Sequence, residues 1–152
     1  RYVRRVHNLM VGERTAEEIK IQVGTALPPQ EEKYVEVRGR DMVTGLPRTI
    51  RFSSSNAYEA LQEPLLAILE SISRVLEQTP PELAADIMDK GIVLTGGGSL
   101  LEGLPQVIAE RTGIPVHLAE DPVSCVVLGT AKFLEILPKL DLAPERPQYV
   151  MH

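Results

Sequence analysis

Apolar residues at Val3, Val6 and Met10 follow helical spacing from the first residues, so the chain is expected to begin inside a helix and to be a piece of a longer protein. Val11-Gly12 breaks that pattern. A second helix follows, in which Thr15 and Glu18 have the S/T-x-x-E spacing of a capping box and Gly24 is the stop. From Thr25 to Gln30 there are prolines and no period. In YVEVRGRD, Tyr34, Glu36 and Arg38 alternate with Val35 and Val37, and RTIRF follows after Gly45 and Pro47; the pair predicts a small antiparallel sheet with a polar, exposed face.

Asn56 and Glu59 are placed to cap the next helix, whose Tyr58, Leu61, Leu65, Ile68, Ile72 and Leu76 form a stripe predicted to be buried, with a kink or restart at Pro64. Pro80-Pro81 opens a short helix that ends near Lys90-Gly91. The run IVLTGGGSLL reads as a buried strand feeding into a glycine turn and a helix that stops at Thr112-Gly113. A short strand over Pro115 to Ala119 comes next. Asp121-Pro122 caps a last helix through about Leu137, and a loose proline-rich tail is expected beyond it. Strands alternating with helices in the second half indicate a parallel layer, so the fold class is α/β, with the hairpin inserted between two helices.

A length of 152 residues limits the chain to one ordinary domain or two small subdomains. Composition narrows this further: 43% hydrophobic and 24% charged residues are those of a soluble globular chain, and no apolar run approaches the roughly 20 residues of a membrane span. A net charge of −5 without a dense basic cluster argues against nucleic acid as a partner. The single cysteine, Cys125, has no internal partner, and no signal peptide is present, which favours a reducing cytoplasmic location.

The segment most able to carry chemistry is Thr95-Gly96-Gly97-Gly98-Ser99, at the carboxyl end of an apolar strand, where open α/β sheets bind ligands. Glycines there admit a ligand close to backbone, although a plain tight turn gives the same pattern and the spacing is that of no standard phosphate loop. On the second helix, Glu17 and Lys20 share one face; a carboxylate and an ammonium can hydrogen-bond ribose and an adenine edge, or form a solvated ion pair. Cys125, between Val123 and Val127, reads as a buried apolar thiol. His7, His117 and His152 have no metal-ligand spacing. Ser99 lacks a nucleophile-elbow frame, and Glu120-Asp121 reads as structural.

Taken together, NLMVGERTAEEIKIQVG, EVRGRDMVTGLPRTI, ALQEPL, TPPELAADIMDKGIVLTGGGSLLEGLP and TGIPVHLAEDPVSCVVLGTAKFLE resemble the C-terminal half of the MreB family of bacterial actin homologues, up to about Leu137. The resemblance implies an actin-like fold around an ATP cleft. Residues 1–24 and 57–137 would form most of a large subdomain, 25–56 a small inserted one and 138–152 a flexible tail. Glu17, Glu18, Ile19 and Lys20 would lie beside adenine and ribose, with Gly96, Gly97, Gly98 and Ser99 forming the adenosine loop opposite.

The family's two phosphate loops, and the residues that place Mg²⁺ and water, are absent from this sequence. The resemblance therefore implies ATP binding by the adenosine half only, with Mg²⁺ held by a missing half, weak ATPase in the intact protein and none in this chain alone. It also implies homopolymer filaments that direct cell shape and lateral wall synthesis, and cell-wall elongation proteins as partners. The location would be cytoplasmic, at the inner face of the cell membrane, touched through the missing half. The alternatives are another actin-fold ATPase, of the chaperone or sugar-kinase kind, and an interaction module without ligand.

Overall fold

The computed structural model describes residues 1–137; the expected tail over 138–152, with His152, lies outside the described residues. Helix α1 (Tyr2–His7) stops at Asn8, whose φ of 50° is a left-handed conformation that a short polar side chain tolerates. The chain then forms strand β1 (Leu9–Met10), which pairs antiparallel with β2 (Tyr34–Asp41). The helical spacing that extends to Met10 is thus misleading, because burying Leu9 completely against β2 outweighs one more turn of helix.

Helix α2 (Glu13–Val23) starts on the extended backbone of Gly12, with no side-chain cap. Thr15 lies already inside the helix, and Glu18 pairs with Arg14 at 3.2 Å, so the expected capping box does not form. Gly24 ends the helix as expected, its N–H donating to the Lys20 carbonyl at 2.9 Å.

The hairpin forms where the alternation predicts it. Strand β2 pairs antiparallel with β3 (Pro47–Ser53), so Val37 faces Ile50 on the inner side and Glu36 faces Arg51 on the outer. Helix α3 (Ser54–Glu77) is capped by Ser53 and Asn56 reciprocally, one turn before the Asn56–Glu59 pair expected, and Glu59 instead accepts the Tyr2 hydroxyl proton at 2.6 Å. The helix runs through Pro64 without restarting. Its buried stripe passes through Leu65 and Leu69; Ile68 is 46% exposed, since 3.6 residues per turn rotates it off the packed face.

Helix α4 (Pro81–Lys90) has no buried residue. Strand β4 (Ile92–Leu94) pairs parallel with β5 (Val116–Leu118), joined by the 3₁₀ turn Gly97–Leu100 and helix α5 (Leu104–Thr112). The expected burial of β4 is not met: Val93 is 61% exposed, because among the described residues only one face of this two-stranded sheet is covered. Helix α6 (Cys125–Ile136) starts three residues after Pro122, with the Asp121 carboxylate accepting the Ser124 N–H at 3.3 Å. Cys125 is half-buried rather than buried, its thiol donating to the Asp121 carbonyl at 3.1 Å.

Two hydrophobic cores result. Tyr2, Val3, Leu9, Ile19, Val23, Val37, Phe52 and Ala57 pack α1, β1 and α2 with the hairpin. Ala26, Leu65, Leu69, Leu104 and Ile108 pack the later part of α3 with α5.

Candidate functional site

The glycine turn is built from its backbone outward. Gly96 has φ 82° and ψ 161°, a conformation that L side chains avoid, and its N–H donates to the Pro122 carbonyl at 2.6 Å. Ser99 is 6% exposed and donates both its hydroxyl, at 2.6 Å, and its N–H, at 3.1 Å, to the Gly96 carbonyl. Its side chain therefore holds the turn closed. Gly97 and Gly98 are exposed, and a Cβ built on either would meet no atom of the described chain within 4 Å. An open backbone surface of this kind suits a flat or polar group laid against it.

The other predicted residues sit on α2. Glu17 and Lys20 are exposed, Glu18 is paired with Arg14, and Ile19 is buried in the first core. The ion pair on this helix is thus Arg14–Glu18 rather than Glu17–Lys20. Ile19 and Lys20 line a groove of about 1000 Å³ with Arg4, Val11, Ala60 and Pro64. Tyr2 also lines it, and burial together with the hydrogen bond to Glu59 pushes its hydroxyl pKa up. Gly96 to Ser99 are not among the lining residues of this groove.

The two elements are nevertheless tied together, through residues that the sequence does not single out. Thr25 forms a parallel bridge with Glu102, and the Ala26 N–H donates to the Glu102 carbonyl at 2.8 Å. This joins the exit of α2 to the segment that leaves the glycine turn. Lys33 reaches the Glu102 carboxylate at 3.0 Å, and a second cleft of about 430 Å³ opens beside Thr25, Lys33, Ser54, Glu102 and Gln106. Nothing in the residue types signals this bridge, since a parallel pairing between single residues far apart leaves no periodic trace.

A short parallel β-layer with a glycine turn, joined to a helix and hairpin that share their own core, defines an α/β protein of the actin-like fold. The chain superposes on MreB5 of Spiroplasma citri with a TM-score of 0.86 and 34% identity in the ADP-bound structure, over 91% of this chain and 42% of that one. It matches the MamK double helical filament with a TM-score of 0.71 and 25% identity, over 88% of this chain and 40% of that one. The chain belongs to the MreB/Mbl family, whose model matches residues 1–141. It is 50% identical over 139 residues to the cell shape-determining protein Mbl of Bacillus subtilis (strain 168), covering 91% of this chain and 42% of that protein. It thus spans about two fifths of the length of these relatives.

Proposed function

We propose that this chain supplies the adenosine side of an ATP site in an actin-like, filament-forming protein that directs cell shape. The observation that carries the reading is the Thr25–Glu102 bridge, which fastens the helix bearing Glu17, Glu18 and Lys20 to the exit of a glycine turn whose Gly97 and Gly98 are open. The ADP- and AMPPNP-bound states of the similar MreB5 support a nucleotide as the ligand, and the MamK filament supports self-association. In this reading Lys20 and Glu17 address ribose and the adenine edge, while the glycine backbone lies against the other side of the nucleoside.

Phosphates and Mg²⁺ are held outside residues 1–152, so this chain alone has no ATPase activity, whereas the complete protein is a weak ATPase. Cell-wall elongation proteins and the inner face of the membrane are the proposed surroundings, with the protein cytoplasmic and peripheral.

The test is a calorimetric titration of ATP into the protein as the cell makes it, parent against Gly97→Val. The fold has room for a valine Cβ at this position, and in this reading the nucleoside would occupy the space that the valine side chain takes. Equal affinity in a variant with an unchanged melt sinks the reading.

A further inference from the structure

The sheet that β1, β2 and β3 form has two unlike faces. Inward, Val35, Val37, Ile50 and Phe52 pack in or against the first core. Outward, Tyr34, Glu36, Arg38 and Arg40 of β2 and Thr49 and Arg51 of β3 are exposed, and among the described residues nothing covers them. Met10 of β1, opposite Arg40 in the register and 38% exposed, extends the same face.

Water is the ordinary neighbour of such a surface, but these side chains are held rather than free. The Arg51 Cζ lies 3.6 Å from the centroid of the Tyr34 ring, and Arg40 Nη2 donates to the Met10 sulfur at 3.4 Å. Both long side chains are thus laid flat on the sheet, which lowers the entropy lost when they engage a partner. Among the described residues, Arg38, Arg40 and Arg51 pair with no carboxylate, although the chain carries more acid than base, at net −5. Arg48, on the other face of β3, does pair, with Asp41 at 2.8 Å. Arginine, tyrosine and methionine are also the residue types that concentrate where proteins meet.

The spacing defines the partner. Arg38 and Arg40 are two residues apart on one strand, about 6.7 Å. Arg51 stands opposite Glu36, one step further along the same line. Guanidinium groups at a two-residue period match carboxylates at alternate positions of an extended chain. Glu36 interrupts the positive line, and this weighs against a phosphodiester strand or an anionic bilayer as the occupant. A phosphodiester strand carries no cation to meet that carboxylate, whereas a peptide can place a lysine or a backbone N–H there. The excess acid of the remaining chain also repels a polyanion more than a short acidic segment.

We infer that the outer face of this sheet binds an extended, acidic segment of a partner protein, whose alternate carboxylates meet Arg40, Arg38 and Arg51. The site is separate from the proposed nucleotide walls, because none of its residues belongs to α2 or to the glycine turn.

The experiment is a fluorescence-anisotropy titration of the protein as the cell makes it, without nucleotide, against a labelled peptide of about eight residues in which glutamate alternates with threonine. A second peptide has the same composition with its glutamates in one block. The alternating peptide is expected to bind about tenfold more tightly than the block peptide, since only its carboxylates keep the period of the arginines. Arg38→Glu and Arg40→Glu should each weaken it about tenfold, and Tyr34→Ala, which frees Arg51, about threefold. Arg74→Glu, at the far end of α3, should leave it unchanged. These side chains are exposed, so the melts stay like the parent's. Equal binding of the two peptides overturns the inference, as does an Arg38→Glu protein that binds like the parent or a parent that binds neither. Polyuridylate or phosphatidylglycerol vesicles held by the parent in place of the peptide, and lost with Arg38→Glu, make the face a nucleic-acid or lipid contact and overturn it too. So does loss of sedimenting polymer in Arg38→Glu with peptide binding unchanged, which makes it a contact between copies.

Discussion

The N–H of Ala26 donates to the carbonyl of Glu102 at 2.8 Å, and this bond closes the gap between the end of α2 and the turn that follows β4. Its geometry depends on Gly24. A Cβ there would lie 2.2 Å from the Lys20 carbonyl oxygen and 3.1 Å from the Leu101 Cδ1. Gly24→Ala is expected to destabilise the fold by about 1–3 kcal/mol through overpacking, with a matching fall in the midpoint of urea denaturation. A variant as stable as the parent shows that α2 can leave its helix by another path.

Strand β1 is held by a similar restriction. A Cβ on Gly39 would meet the Met10 carbonyl oxygen at 2.4 Å and the Leu9 Cγ at 2.8 Å. Gly39→Val should push β1 off the sheet and uncover Leu9, at a cost of about 2–4 kcal/mol. Amide hydrogen exchange reads this locally: the amide proton of Met42, which donates to the Asn8 carbonyl at 2.8 Å, should lose protection while those of α5 keep it.

Glu32 predicts an acid-sensitive step. Its carboxylate accepts the Ser55 hydroxyl at 2.5 Å and the Ser55 N–H at 2.9 Å, and these bonds, the hydroxyl first, lower its pKa to about 2 from the ordinary 4.5. The folded value lies below the unfolded one, so the stabilisation is present above about pH 4.5 and is lost as pH falls towards about 2. Glu32→Gln should flatten the dependence of the melting temperature on pH within that window and leave it unchanged between pH 6 and 8. An equal acid slope in both proteins rules out the carboxylate as its source.

Lys20 tests the other wall of the proposed nucleotide site without touching the core, because its side chain is exposed. Lys20→Ala should leave the melt within about 0.5 kcal/mol of the parent while weakening ATP roughly tenfold, the loss of one charge-assisted hydrogen bond. ATP affinity unchanged in a calorimetric titration removes Lys20 from the site.

Much of this architecture is determined by the local sequence. The alternation in Tyr34–Asp41, the prolines that open α4 and the glycines that end α2 and α5 act on their immediate neighbours, and each element appears where those residues dictate. The strand, glycine turn and helix at residues 92 to 112 were legible for the same reason, as was membership of the MreB/Mbl family, carried by long ordered strings. Other features depend on contacts between distant residues. Leu9–Met10 becomes a strand only because β2 offers it an edge, Ser53 caps α3 only in the register in which Asn56 can answer it, and Val93 is exposed because, among the described residues, the second core covers only the face of β4 that carries Ile92 and Leu94. The link between the two candidate site elements belongs to the same group. A lone bridge between Thr25 and Glu102 is a property of where two cores meet, and the free energy that sets it comes from packing Ala26, Leu65 and Leu104 together rather than from any preference in its own residues.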